Sequence, residues 1–306
     1  MTKHVVVLLG GWSAEREVSL NSGNACADAL ERLGYRVSRI DVGRDIAAGL
    51  VKAAPDVVLN ALHGPFGEDG TIQGLLEILG IPYSHSGVLA SALAMNKEKS
   101  RTIFKAAGIP VADGRIVERL TAARQHVFPP PYVIKPVAEG SSFGVFIVRE
   151  DQEHPPQELY DPAWKFGERV VVERYVKGRE LTCAVLGDVA LGVIDIVPTT
   201  PFYDYDAKYA PGGSRHILPA EISPNIYQTV QKLALRAHQA LGCRGVSRAD
   251  FRYDDQAEGD SGLICLEVNT QPGMTATSLV PEMAAHAGHD FEDLVRWMVE
   301  DASCNR

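Results

Sequence analysis

Residues 133–145 read Val-Ile-Lys-Pro-Val-Ala-Glu-Gly-Ser-Ser-Phe-Gly-Val. An apolar strand ends in Lys135, and a small, hydroxyl-rich turn follows before the next strand. A strand-held ammonium beside a flexible glycine turn suits a triphosphate. Glycine lets backbone N–H groups approach phosphate oxygens, and serine hydroxyls add donors without adding charge. The Gly-Lys-Ser/Thr ending of a Walker loop is missing, which argues against a P-loop nucleotidase. Taken alone, the segment also reads as an ordinary hairpin turn.

Further along, residues 247–253 and 263–268 read as two apolar strands. Arg248 and Asp250 project from one face by the two-residue period of β structure, and Glu267 and Asn269 repeat that geometry. If the strands are neighbours, two carboxylates and an amide oxygen converge beside a guanidinium. Hard oxygen donors of this kind select Mg²⁺ or Mn²⁺, which bridge nucleotide phosphates. A surface ion pair between strands is the alternative. Against it, burying such groups in a strand as apolar as Leu-Ile-Cys-Leu-Glu-Val-Asn is costly without a cation. Lys97 opens a helix, where its charge and the helix N-terminus can both face a phosphate, although alone it also fits a solvated surface lysine. His63, following an apolar strand, reads by itself as structural.

Upstream, the apolar run at 4–9 stops at Gly10-Gly11, and an alanine-rich amphipathic stretch reaches Leu33. Strands are expected at 35–40 and 56–62, then a helix at 71–79 closed by Gly80-Ile81-Pro82. The alternation predicts a parallel sheet with helices on both faces over residues 1–95. A mixed central part covers 96–180, with a helix at 96–107, strands at 132–135, 144–148 and 170–175, and proline-broken loops at 128–131 and 154–162. The third part, 181–306, has strands through Val197, a polar loop at 199–214, a helix at 224–241 and the two strands above. The expected class is α/β, turning α+β in the central and C-terminal parts.

Composition excludes several functions. A net charge of -9 argues against a nucleic-acid binder, which needs concentrated Lys and Arg. The apolar run at 5–9 is far short of the roughly 20 residues that span a bilayer, and no basic-then-apolar leader opens the chain, so a cytoplasmic location without membrane attachment is expected. The cysteines are odd in number and form no Cys-x-x-Cys pair, as incidental thiols do. A nicotinamide oxidoreductase is disfavoured because Leu-Leu-Gly-Gly-Trp-Ser-Ala-Glu-Arg-Glu at 8–17 lacks the three-glycine pattern. A non-catalytic nucleotide-binding module would not need Arg248, Asp250, Glu267 and Asn269 together.

Taken together, these residues resemble the ATP-grasp enzymes, and in detail the D-alanine:D-alanine ligases. The resemblance covers nearly the whole chain. It runs through LLGGWSAEREVSLNSG from Leu8, LHGPFGEDGTIQGLLEILGIPYSHSG from Leu62, VIKPVAEGSSFGV from Val133, FYDYDAKY from Phe202 and EVNTQPGMTATSLVP from Glu267. It implies an ATP-grasp fold of three subdomains, with the nucleotide between the second and third. It implies ligation of two D-alanine molecules through a D-alanyl phosphate, ATP with two Mg²⁺ or Mn²⁺ ions, and a homodimer. A sibling ligase making D-alanyl-D-lactate or another mixed product is the alternative.

Residue by residue, the family implies that Lys97 and Lys135 contact ATP phosphates, with Ser142 and the glycine turn closing over them and Lys208 nearby. Glu173 and the backbone of residues 174–176 would meet the adenine, and Glu180 the ribose. Asp250, Glu267 and Asn269 would hold the metal ions. Glu15, with His63 close by, would receive the ammonium of the first D-alanine. Ser278 and Leu279 would hold the carboxylate of the second, and Ser141 and Tyr209 would link to Glu15. Arg248 and the Gly273 amide are expected to stabilise the tetrahedral oxyanion. The chain departs from the family's pattern at Trp12, at Phe143 and over residues 114–131.

Overall fold

The computed structural model describes residues 2–199 and 213–306. Strands β1 (His4–Leu9), β2 (Arg36–Asp41) and β3 (Val57–Asn60) form a parallel sheet in the order β2-β1-β3. Every residue of β1 is buried, because Val5, Val7 and Leu9 feed one core while Val6 and Leu8 feed another. A strand covered on both faces reads as a continuous apolar run, which is the pattern at its position in the chain. Helix α1 (Arg16–Arg32) lies on one face; Leu50 of α2 (Ile46–Ala53) and Ile72 and Leu76 of α3 (Thr71–Leu79) pack on the other.

Helix α4 (Val88–Met95) leads into α5 (Lys97–Ala106), and an antiparallel sheet follows in the order β4-β7-β5-β6. Its strands are β4 (Gly114–Glu118), β5 (Tyr132–Pro136), β6 (Phe146–Val148) and β7 (Arg169–Arg174), with α6 (Arg119–Arg124) packed against β4 and β7. A second antiparallel sheet has the order β10-β9-β8-β11-β12. It comprises β8 (Arg179–Leu186), β9 (Val189–Pro198), β10 (Ser214–Ile217), β11 (Val246–Tyr253) and β12 (Leu263–Asn269).

Helix α7 (Pro224–Leu241) covers one face of that sheet. Its start is set by Ser223, whose hydroxyl accepts from the Ile226 amide, and by a proline in the first turn; Gly242 ends it in the left-handed conformation. Ile226, Val230, Leu233, Ala234, Ala237 and Leu241 fall on one helical stripe and are buried. The other face packs on α8 (Leu279–His286), whose Met283 shares a core with β1, α1 and α9 (Phe291–Asp301). Helix α9 lies against α1 and β3, so the last helix of the chain completes the layer over the first sheet.

The predicted strands and the helices at 71–79, 96–107 and 224–241 are present, with ends moved by at most two residues. Helices α2, α4, α6, α8 and α9 and strands β4 and β10 were not expected. Helix α4 is apolar nearly all round and has no polar stripe to read, and β4 is a half-exposed strand at the edge of its sheet.

Candidate active site

The four-stranded and five-stranded sheets face each other across a cleft of about 420 Å³, within the size range of small-ligand sites. Val133, Val145 and Ile147 line one wall, Ile196 and Leu266 the other, and charged groups stand at the edges. Lys135 is held on β5, two residues after Val133, which pairs with Glu173 of β7. The diagonal brings its Nζ to 2.5 Å from Glu173 Oε1. Arg101 Nη1 of α5 lies 2.5 Å from Glu173 Oε2. The carboxylate therefore sits between two cations, all three groups being buried.

Lys97 is the first residue of α5, after the Asn96 cap that accepts from the Lys99 amide. Its Nζ donates to the Glu139 carbonyl at 2.6 Å and lies 3.3 Å from Glu267 Oε2. Ser141, Ser142 and Gly144 take φ of 48°, 61° and 67°. Two consecutive serines in the left-handed region mark a turn that its surroundings hold in place. Ser142 and Phe143 line the cleft, whereas Ser141 turns to the other side and its hydroxyl donates to Glu15 Oε1. Glu180 and residues 174–176 also line the cleft; Arg252 Nη1 lies 3.3 Å from Glu180 Oε2, and its Nε and Nη2 anchor the chain by donating to the Val176 and Gly178 carbonyls.

The two polar strand pairs meet as the period requires. Asp250 is registered opposite Glu267, and Arg248 opposite Asn269. Arg248 also binds Asp250 in a fork, Nε and Nη2 each at 2.8 Å, and Thr182 Oγ1 donates to the same carboxylate at 2.6 Å. A carboxylate offers about four acceptor sites, so these three bonds leave room for a cation. Among the described residues no group of three or more His, Cys, Asp or Glu side chains forms a closed metal cage. Two carboxylates and an amide oxygen beside a cleft fit Mg²⁺, which takes one or two carboxylates and completes its shell from phosphates and water.

A second, smaller space of about 80 Å³ adjoins the cleft, and Lys97, Glu139, Gly140 and Glu267 line both. Glu15, His63, Ser141, Arg248, Asn269, Gly273, Ser278 and Leu279 line it as well. Glu15 stands at the N-terminus of α1. A Cβ on Gly64 or Gly140 would come within 2.9 Å or 3.1 Å of Glu15 Oε2, so both glycines leave space for that carboxylate. His63 Nδ1 is 3.0 Å from Glu68 Oε1 and Nε2 is 3.3 Å from Ser22 Oγ. Burial alone lowers the His63 pKa, but the hydrogen bond and charge of Glu68, with the charge of Glu15, outweigh it and raise the pKa above 6.5. Ser278 precedes α8, and its Oγ lies 2.8 Å from Thr275 Oγ1 and accepts from the Thr275 amide.

Apart from Lys208 and Tyr209, which lie outside the described residues together with most of the 199–214 loop, the expected side chains gather around these two joined spaces. Sequence reading passed over Arg101, Thr182, Glu68, Ser22, Asn60 and Gln271. Gln271 Nε2 donates to the Leu62 carbonyl and its Oε1 accepts from Asn60 Nδ2 at 2.6 Å, which ties the segment after β12 to β3. Glu68 and Gln271 lie inside stretches already singled out; Arg101 and Asn60 carry no local signal of a site, since the side chains they pair with, Glu173 and Gln271, are 72 and 211 residues away. Trp12 packs on Phe66 at the outer rim, with ring centroids 5.0 Å apart.

Two family models match the chain, one described as D-ala D-ala ligase N-terminus over residues 42–86 and one as D-ala D-ala ligase C-terminus over residues 103–300. The D-alanine–D-alanine ligase of Methylobacterium radiotolerans is 70% identical, the match covering 100% of both chains. That of Rhizobium meliloti is 67% identical over 100% of this chain and 99% of its own. Among solved structures, the Bacillus anthracis D-alanine–D-alanine ligase complexed with ATP has a TM-score of 0.81 at 30% identity, covering 98% of this chain and 97% of that one. With models spanning most of its length and relatives at this identity end to end, the chain belongs to the D-alanine–D-alanine ligase family.

Proposed function

We propose that this chain joins two D-alanine molecules in an ATP-dependent reaction, through a D-alanyl phosphate, and so supplies D-alanyl-D-alanine for peptidoglycan. The observation that carries this reading is the junction of two spaces at Lys97, Glu139, Gly140 and Glu267. A phosphoryl group arriving at that junction from the large cleft meets whatever carboxylate the small pocket holds. Amine and carboxylate do not condense unaided in water, and phosphorylation gives the first D-alanine a leaving group. Family membership supports the same products and does not favour the D-lactate alternative.

In this reading Lys97 and Lys135 neutralise phosphate oxygens, and Ser142 and the glycine turn cover them. Glu173 and the backbone at 174–176 meet the adenine, and Glu180 the ribose hydroxyls. Asp250, Glu267 and Asn269 hold two Mg²⁺ or Mn²⁺ ions, which supply charge neutralisation for phosphoryl transfer when bound. Glu15, near His63, binds the ammonium of the first D-alanine. Ser278 and Leu279, at the start of α8, receive the carboxylate of the second, where helical N–H groups favour an anion. Arg248 and the Gly273 amide stabilise the oxyanion formed on attack, a task worth about 3–4 kcal/mol per donor.

The Ser141–Glu15 hydrogen bond is the described half of the network expected to include Tyr209. The reading keeps three subdomains, 1–95, 96–180 and 181–306, with the nucleotide between the second and third, in a homodimer in the cytoplasm. What supports the dimer and the location is family kinship, and no helix among the described residues is long and apolar enough to cross a membrane. The test is to mix protein, ATP and Mg²⁺ with D- or L-alanine, then measure phosphate release and dipeptide mass. Phosphate and D-alanyl-D-alanine with the D-isomer are expected; no dipeptide, or equal product from L-alanine, overturns the reading.

A further inference from the structure

Arg101 follows Lys97 by four residues on α5, so the two side chains leave the same face of one helix. Its buried guanidinium lies 2.5 Å from Glu173 Oε2 and donates to the Ala112 carbonyl at 2.6 Å. The other oxygen of that carboxylate meets Lys135 Nζ at 2.5 Å. The backbone makes room for this arrangement at Gly114, which pairs with Glu173 across β4 and β7. A Cβ there would lie 2.7 Å from Arg101 Nη2 and 2.9 Å from Glu173 Cβ. Gly114 is not among the residues with positive φ, so clearance rather than conformation calls for glycine at this position.

We propose that Arg101 is a positioning residue that sets nucleotide choice: it holds one oxygen of Glu173 so that the other oxygen and one of the three N–H donors of Lys135, the rest being left for phosphate, form an adjacent acceptor and donor for a purine edge. The proposal rests on the nucleotide reading of the cleft. Adenine offers N7 as acceptor beside its 6-amino donor, the complement of that pair, whereas a 6-oxopurine sets an acceptor against the carboxylate. A guanidinium suits the task because it stays charged and its planar fork engages carboxylate and carbonyl together. Without it, no other cation among the described residues pairs with Glu173 beside Lys135, and both carboxylate oxygens can turn toward the ammonium.

The test uses the full-length protein and D-alanine-dependent phosphate release, with ATP compared against inosine triphosphate. In Arg101→Gln, the KM for ATP is expected to rise about ten- to a hundredfold with a smaller change in kcat, and the kcat/KM preference for ATP to fall by at least about tenfold. Arg101→Lys should recover part of the preference. Gly114→Ala, which crowds the guanidinium without removing its charge, should fall between wild type and Arg101→Gln. If the preference for ATP is unchanged in these variants, whatever happens to total activity or melting temperature, Arg101 is only structural and the proposal is overturned. Should Arg101→Gln fail to fold, the other two variants decide by the same criterion. Wild-type protein that releases no phosphate from either nucleotide defeats the nucleotide reading and this proposal with it, an outcome distinct from active variants with unaltered preference.

Discussion

Lys135 reaches the large cleft because a strand carries it there, whereas Glu15 reaches the small pocket only because three distant stretches of chain are tied together. In the cleft, Lys135, Glu173, Asp250 and Glu267 are spaced by strand period and register, so each position follows from a ladder of backbone hydrogen bonds. In the pocket, Glu15 comes from the start of α1, Gly140 from the serine turn and Ser278 from the start of α8. What aligns them is buried side-chain bonding, above all Gln271 to Asn60 and Leu62, and the Ser22 hydroxyl that accepts from the Met274 amide. A sheet-built site loses function locally when one residue changes. A site tied together by buried polar bonds loses alignment, and stability with it.

Three changes press on that contrast. Lys135→Ala should have the largest effect, lowering ATP-driven turnover by about 10²–10³-fold. The fold should survive, because Glu173 keeps its ion pair with Arg101. Phosphate release and a thermal melt check both parts, and near-normal release refutes the role given to Lys135. Gln271→Ala comes next. It strips partners from the buried Asn60 amide and Leu62 carbonyl and should cost about 2–3 kcal/mol in urea unfolding, with D-alanine use falling more than nucleotide binding. A variant as stable as wild type breaks the claim that side-chain ties build the pocket. The smallest effect is expected from Gly140→Ala, whose added methyl approaches Glu15 Oε2 to 3.1 Å. The KM for D-alanine should rise roughly tenfold while that for ATP stays within about twofold; an equal rise in both erases the distinction between the two spaces.

How much of this was legible beforehand follows the same division. The hairpin at 133–145 and the same-face polar pairs on β11 and β12 were readable, because strand period puts residues two apart on one face whatever the rest of the chain does. The parallel first sheet was readable from the alternation of strands and helices over residues 1–95. The last part of its cover was not: α9 comes from the end of the chain, and nothing in its own sequence says which sheet it meets. Glu15 and His63 entered through resemblance to a family, and Arg101 did not enter at all.

The amino-acid sequence by itself therefore determined the local units of this protein: which stretches are strands, which side chains share a face, and where a small glycine- and serine-rich turn falls. Only the tertiary structure decided which units face one another. It set the cleft between two sheets, the fork of Arg248 on Asp250, and the carboxylate of Glu173 held between Lys135 and Arg101. The reason is physical. Period and propensity act over a few residues, whereas a buried charge takes its partner from whatever surface folding brings within about 3 Å, at any distance along the chain.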